Sequence, residues 1–180
     1  MEAKINPTEL GTKLQLQGLE IVDVLAPNGK IVLCAKEGLV LVPIDKVAIY
    51  VMGKVKKYPV EELKELQELK QTDRKNFEAN AGNARRLKEI KNLKHSYERS
   101  QEMFASINKI GLGDSVNDII VIIRHLFAVG KEVDVQSPVR HPSKLDGLLG
   151  TLKVLSTWAV LPDGMRYLSS INIIPKMETA

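Results

Sequence analysis

The hydrophobic period changes twice along the chain. Alternating or continuous apolar runs extend to about Met52, helix-like spacing follows to about Val129, and strand-like runs return from about Thr151. Alternation with a period of two is typical of a half-buried strand, whereas apolar residues spaced three and four apart are typical of a helix. The pattern therefore predicts a β-rich start, a helical middle and a β-rich end.

The first third of the chain predicts a meander of four or five short strands over residues 12–53. Residues 12–17 alternate between polar and apolar side chains, which favours a strand with one buried face. Two apolar runs flank Pro27-Asn28-Gly29, and this sequence predicts a hairpin because Asn and Gly both tolerate positive φ. Two further apolar runs, residues 39–42 and 47–52, predict the remaining strands.

The middle of the chain predicts a helical arm over residues 59–109 with a turn or kink near residues 80–83. Pro59 suits the first turn of a helix, while Asn80, Gly82 and Asn83 are poor helix formers. Beyond the turn, residues recur at spacings of three and four to form a seam: Ile90, Leu93, Tyr97, Ser100, Phe104 and Ile107. A seam of this length packs equally well on the first helix, on a β layer or on another copy of the chain.

The last third of the chain predicts a buried helix and a second hairpin. The run from Ile119 to Ile123 lies in a predicted helix over residues 114–129, and a helix that is apolar nearly all round is expected to be buried. Pro162-Asp163-Gly164 separates two strand-like runs and predicts a β-hairpin over residues 151–175.

These elements predict one α+β domain over residues 1–180. We expect a small antiparallel β-barrel or sheet, OB-like or SH3-like, in which the N-terminal meander and the C-terminal hairpin join and the helical arm is a large insertion. Cys34 is the one cysteine, which excludes an internal disulfide, and no apolar run is long enough to span a membrane. Both observations favour a cytoplasmic or other intracellular protein without a membrane partner.

The basic character of the chain lies in its helical middle. The formal net charge is +4, and residues 54–109 contain 14 Lys or Arg against 9 Asp or Glu. The second predicted helix has a basic stripe of Arg85, Arg86, Lys88, Lys91 and Lys94. These side chains either contact nucleic-acid phosphates or pair with the acidic first helix, if the two helices fold back on each other near Gly82.

Nucleic-acid binding is accordingly an alternative function. A loop over residues 138–144 would add Arg140 and Lys144 to the basic stripe. A two-residue turn in the second hairpin would place Trp158 diagonal to Tyr167 on one face, where the rings could stack on bases. Packing of both rings in the core is the competing interpretation.

A metal-dependent phosphatase is a further hypothesis, and one short motif carries it. The sequence Gly113-Asp114-Ser115-Val116-Asn117-Asp118 resembles the acidic magnesium-binding loop of haloacid-dehalogenase-type phosphatases. That family also requires a nucleophile strand that ends in Asp-x-Asp, and the comparable strand here has Asp23 with Leu25 in place of the second carboxylate. A helix N-cap at Ser115 accounts for the same residues, so we expect no catalytic site there.

Neither a metal nor a cofactor is expected. His95, His125 and His141 are too scattered for a local metal motif, and His125 lies among apolar residues as a hydrogen-bonded core histidine would. The sequence also lacks a phosphate-binding loop and a nucleophile elbow. The first hypothesis is a non-enzymatic interaction or assembly protein whose arm binds a protein partner, or another copy in a homo-oligomer, through Leu93, Tyr97 and Phe104.

Overall fold

The computed structural model describes residues 7–134, 136 and 140–177. Within these residues the helices are α1 (Pro7–Leu16), α2 (Val60–Thr72), α3 (Arg74–Ala79), α4 (Ala81–Lys109) and α5 (Val116–Glu132), with one π-helical turn (Lys46–Val51). The strands are β1 (Glu20–Leu25), β2 (Ile31–Glu37), β3 (Val40–Pro43), β4 (His141–Gly147), β5 (Gly150–Val160) and β6 (Arg166–Met177).

The six strands form one mixed sheet in the order β1-β2-β3-β6-β5-β4. The central pair β3–β6 is parallel, and every other neighbouring pair is antiparallel. The α+β class is therefore confirmed. The sheet is open, with β1 and β4 as its edges, so the barrel prediction is not confirmed. A barrel requires the first and last strands to pair, whereas here a parallel pair in the middle joins two three-stranded meanders.

The first predicted strand is wrong, because residues 12–17 lie mostly in helix α1. An alternating strand would place Leu14 and Leu16 on one face, but Leu14 is fully buried and Leu16 is 80% exposed. Leu10 and Leu14, four residues apart, instead pack into the core together. The polar and apolar alternation of this segment is therefore not a strand period.

The last predicted strand of the meander is also wrong. Residues 46–51 form the π-helical turn, with Val47, Ala48 and Val51 on its buried side. The meander consequently has three strands. The first hairpin is confirmed: β1 and β2 pair around Pro27-Asn28-Gly29, where Gly29 has a φ of +78°.

The main core lies on one side of the sheet, which we call the inner face. Side chains of α1, α5 and the C-terminal part of α4 pack there against β3, β5 and β6. Helix α5 is buried as the sequence predicts, with Ile122, Ile123 and Leu126 at most 1% exposed. Gly130 of α5 lies so close to the sheet that a Cβ there would be 2.8 Å from the Trp158 ring.

The opposite side, the outer face, has a smaller cluster of its own. Cys34, Leu41 and Tyr167 are buried in it, together with Ala26 and Leu161. Partly buried side chains around them come from β1, β2 and the β5–β6 turn. No α-helical residue of the described chain belongs to this cluster, so among the described residues these outer side chains have no helical cover.

The C-terminal hairpin is confirmed, but its predicted register is wrong. The turn is longer than two residues, since the amide of Leu161 donates to the carbonyl of Met165 at 2.9 Å. Ala159 therefore pairs with Tyr167, and Trp158 pairs with Leu168. A shift of one residue reverses the face of every following side chain, so Trp158 lies in the inner core and Tyr167 in the outer cluster.

Candidate interaction surfaces of the helical arm

Helices α2, α3 and the N-terminal part of α4 form the arm and have a hydrophobic cluster separate from the main core. Leu63, Phe77, Leu87 and Ile90 are its buried members. The chain turns at Asp73 and Asn80, whose side chains accept from the amides of Asn76 at 3.1 Å and Gly82 at 3.0 Å. Residues that are poor in a helix interior thus serve as N-caps here.

Three of the six seam residues of α4 are buried against other parts of the same chain. Ile90 packs in the arm cluster, and Ile107 packs in the main core. Ser100 is fully buried and donates from its hydroxyl to the Tyr50 carbonyl at 2.6 Å. Ile90 contacts the arm, whereas Ser100 contacts the π-helical turn of the main body. Helix α4 therefore passes from the arm to the body between these two residues.

The three predicted anchor residues are exposed to different degrees. Leu93 is 46% exposed. Tyr97 is partly buried, with its ring edge-on to Tyr58 at a centroid distance of 6.1 Å. Phe104 is also partly buried and lies against Gly53. Spacings of four and seven residues keep the three side chains on one side of α4, and we call this set the apolar strip.

Three cations of the predicted basic stripe have acidic neighbours. Arg86 binds Glu62 of α2 with both ends of its guanidinium group, at 2.6 and 2.7 Å. This hydrogen bond holds the pKa of Glu62 below its ordinary value. Arg85 pairs with Glu89 at 3.0 Å, and Lys94 lies 3.6 Å from Glu98. The expected pairing with the acidic first helix therefore occurs through Arg86.

Three further cations of α4, together with the imidazole of His95, lie on a different side of the helix. Lys88, Lys91, His95 and Arg99 follow one another at spacings of three and four, and we call them the cationic strip. No ion pair within the described part of the chain involves them. Lys88 and Arg99 are eleven positions apart, which corresponds to about 16 Å along the helix. Sequence reasoning missed Arg99, which a search at helical spacing beyond Lys94 would have found.

The remaining nucleic-acid candidates do not join this strip. The second half of the predicted loop is a strand, because His141 and Lys144 lie on the edge strand β4. Residues 138 and 139 of the predicted loop are outside the described residues. Arg140 is exposed just before that strand. Trp158 and Tyr167 are each 6% exposed and lie on opposite faces of the sheet. The two rings therefore do not form one stacking surface.

The acidic motif before α5 has the geometry of a helix cap. The Ser115 hydroxyl accepts from the Asp118 amide at 3.1 Å and donates to the Asp118 carboxylate at 2.6 Å. Asp114 pairs with Lys54 at 3.0 Å, and this contact lowers the Asp114 pKa. Among the described residues, no group of three or more His, Cys, Asp or Glu side chains could hold a metal ion.

Two further reactive side chains are held in structural roles. His125 Nε2 lies 2.9 Å from the Ser143 hydroxyl, and burial lowers the pKa of His125. Burial raises the pKa of Cys34 to about 12. The Cys34 thiol is therefore protonated at neutral pH and is a poor nucleophile.

Comparison with other proteins does not assign the chain to a family. No protein-family model matches the chain, and a search of curated proteins finds no match. In the part of the chain that the structure describes, no helix has both the length and the apolar character needed to cross a membrane.

Proposed function

We propose that this protein is a non-enzymatic interaction protein whose helical arm binds a protein partner, or another copy of the chain, through α4. The observation that carries the proposal is the apolar strip. Leu93, at the N-terminal end of the strip, is 46% exposed, although Ile90, one turn away, is completely buried. The strip groups three large apolar side chains on one side of a surface helix, and such a group is a candidate binding surface for a partner.

The rest of the arm supports this function. Tyr97 and Phe104 are held by contacts with Tyr58 and Gly53, so these partly buried rings have defined positions along the same side of α4 as Leu93. The Arg86–Glu62 pair fixes α2 against α4 just N-terminal to the strip. A surface that is already ordered loses little conformational entropy on binding, which favours affinity.

Substitution of Leu93 tests the proposal. Leu93→Asp places a charge on the most exposed residue of the strip and should abolish the complex, seen as loss of the co-purifying partner or as a lower mass by light scattering. Val121→Asp is the matched control, since Val121 is 42% exposed on α5, away from the arm. A complex that survives Leu93→Asp, or that is lost equally with Val121→Asp, contradicts the proposal.

Nucleic-acid binding through the cationic strip is the second candidate. The supporting observation is that Lys88, Lys91, His95 and Arg99 have no ion pair within the described residues, whereas Arg85, Arg86 and Lys94 of the same helix each have an acidic partner. Each phosphate that a cation neutralises releases counterions and steepens the salt dependence of binding.

Replacement of two lysines separates this candidate from the first. Removing two phosphate contacts by Lys88→Ala and Lys91→Ala should reduce the slope of log affinity against log salt by about 1.8 for duplex DNA. Lys64→Ala and Lys70→Ala on α2 remove the same charge and should leave the slope nearly unchanged. Absence of any DNA or RNA binding at low salt rejects this candidate without affecting the first.

A further inference from the structure

Strand β1 is an open edge of the sheet. It pairs with β2 on one side, and within the described residues no backbone hydrogen bond reaches its other side. At the hairpin, the Ala26 amide donates to the Lys30 carbonyl at 2.8 Å. Hydrogen-bonded pairs alternate along an antiparallel ladder, so Val24 and Val22 form the next such pairs with β2. The residues whose amides and carbonyls point away from β2, toward the free edge, are therefore Ile21, Asp23 and Leu25.

The two edges of the sheet differ in their ability to pair with an added strand. Pro142 lies within the opposite edge strand, β4, and proline has no amide hydrogen to donate. Strand β1 contains neither proline nor glycine, and Ile21, Val22 and Val24 give it three β-branched residues, which favour extended backbone. Strand β1 is therefore the better edge for an added strand.

A groove with a volume of about 400 Å³ runs along the edge of β1. The last four residues of the strand, 22–25, all line this groove, although successive side chains of a strand point to opposite faces. The groove therefore follows the edge of β1 as well as its outer face. On the outer face, Leu41, Leu161 and Met165 add apolar side chains to the lining. A strand added at this edge would place alternate side chains against an apolar surface.

The side chains of β1 specify the residues that an added strand needs. Val22 and Val24 pack against the outer cluster, so the residues paired with them would face the apolar groove. Asp23 points to the other face, is exposed and has no ion pair within the described residues. A residue paired with Asp23 lies on that same face, where a lysine or arginine has the complementary charge. The matching sequence is therefore apolar, basic, apolar.

The other charged groups of the groove do not reverse this preference. Lys36 lies 3.2 Å from Glu20, which balances its charge. Asp163 accepts from the Met165 amide at 3.1 Å and keeps its negative charge. The same charges disfavour β1 of a second copy as the added strand, because β1 contains two acids and no base.

We propose that the free edge of β1 binds an extended segment of a partner protein as a seventh strand, antiparallel to β1, in which two apolar residues flank a lysine or arginine. The main chain of the segment bonds to the free edge groups, and its alternate side chains provide specificity. The apolar residues face the groove, and the cation faces Asp23. This edge lies outside the arm, so the proposal does not depend on the apolar strip of α4.

Two synthetic peptides test the charge preference. Acetyl-Thr-Val-Lys-Val-Thr-amide and the same peptide with Glu in place of Lys are titrated into the full chain, and binding is followed by the NMR signals of the β1 amides. The Lys peptide should bind about fivefold more tightly than the Glu peptide. Asp23→Lys, at an exposed position, should reverse this preference. No binding of the Lys peptide, or an unchanged preference in Asp23→Lys, would overturn the proposal.

Glu132→Lys is the matched control for the change in net charge. Glu132 is an exposed acid of α5 that also has no ion pair within the described residues. This variant should keep the wild-type preference for the Lys peptide. A reversal in Glu132→Lys as well would show that net charge decides the binding, and it would reject a specific contact with Asp23.

N-methylation of the Lys peptide tests the backbone pairing. The amide of the central lysine, opposite Asp23, points toward β1 in an antiparallel pair, so its methylation should weaken binding by about tenfold. The amide of the following valine points away from β1, and its methylation should change the affinity little. Equal affinities of the two methylated peptides would reject strand addition. If the β1 amide signals shift with protein concentration in the absence of peptide, a second copy occupies the edge and the proposal is wrong.

Discussion

At the scale of single residues, close packing and capping decide which side chains are structural. Ser115 could be predicted as an N-cap because its position before an apolar helix and the spacing to Asp118 are local features of the sequence. The exposure of Leu16 beside the buried Leu14 could not be predicted, since it depends on which element α1 packs against. The Ser115 cap could therefore be predicted from local sequence, whereas the buried side of α1 could not.

Gly130→Ala should destabilise the protein by about 1–3 kcal/mol, because the new methyl group would overlap the Trp158 ring at 2.8–2.9 Å. Urea unfolding measures the change. Gly113→Ala is the control, since the nearest atom to its added Cβ is 3.4 Å away and no strain is expected. Equal stability of the two variants would show that α5 does not approach the sheet as closely as described.

Stability should also depend on His125 as the pH falls. Burial lowers the pKa of His125 in the folded protein, so the unfolded chain binds a proton more readily, near its ordinary pKa of about 6.5. Above a pH of about 6.5 His125 is neutral in both states and does not change the stability. As the pH falls below that value toward the lowered pKa of the folded state, the unfolded chain binds the proton first, and the free energy of unfolding decreases.

The measurement is the free energy of unfolding in urea at about pH 7.5 and at about pH 5.5, on either side of the ordinary histidine pKa. His125→Gln keeps a polar side chain beside Ser143 but does not titrate, so it should lose less stability on acidification than the wild type. Identical losses in both proteins would rule out a lowered pKa at His125.

At the scale of elements, the arm and the body have separate hydrophobic clusters. The sequence predicts the helices of the arm and a reversal near residues 80–83, and α4 does begin at Ala81 after the Asn80 cap. The short helix α3 was missed, because Asp73 both ends α2 and caps the next helix within a polar stretch. The cationic residues that pair could not be identified from spacing, because the Arg86–Glu62 contact depends on how α2 lies against α4.

Leu87→Ala should loosen the arm without unfolding the body. Leu87 is 5% exposed in the arm cluster, and loss of a buried leucine side chain costs about 2–5 kcal/mol of local stability. Hydrogen exchange should accelerate in α2, α3 and the start of α4, while α5 and the central strands keep their protection.

Leu126→Ala provides the comparison, since Leu126 is fully buried in the main core and its loss should weaken the whole sheet and α5 together. If Leu87→Ala accelerates exchange equally in every element, the two clusters are not independent and the description of the arm is wrong.

At the scale of the whole molecule, helices pack on one face of the sheet. The N-terminal part of α4 continues beyond these helices and, with α2 and α3, forms the arm. The α+β class follows from the order of strand-like and helix-like periods, but the open sheet does not. Its central parallel pair, β3–β6, joins strands that are distant in the sequence, and no local pattern specifies that contact. The predicted C-terminal turn was one residue too short. This error placed Trp158 and Tyr167 on the same face of the sheet and so predicted a stacking surface that the structure does not have.

The most direct test of the arm as a binding surface is photo-cross-linking in living cells that make the protein. A benzophenone side chain is placed at position 93 of the apolar strip or at position 121 on the exposed side of α5, where the native residues have similar exposure. The account predicts a discrete adduct to one protein, or to a second copy of the chain, from position 93 and none from position 121. No adduct at position 93, or the same adducts from both positions, would contradict it.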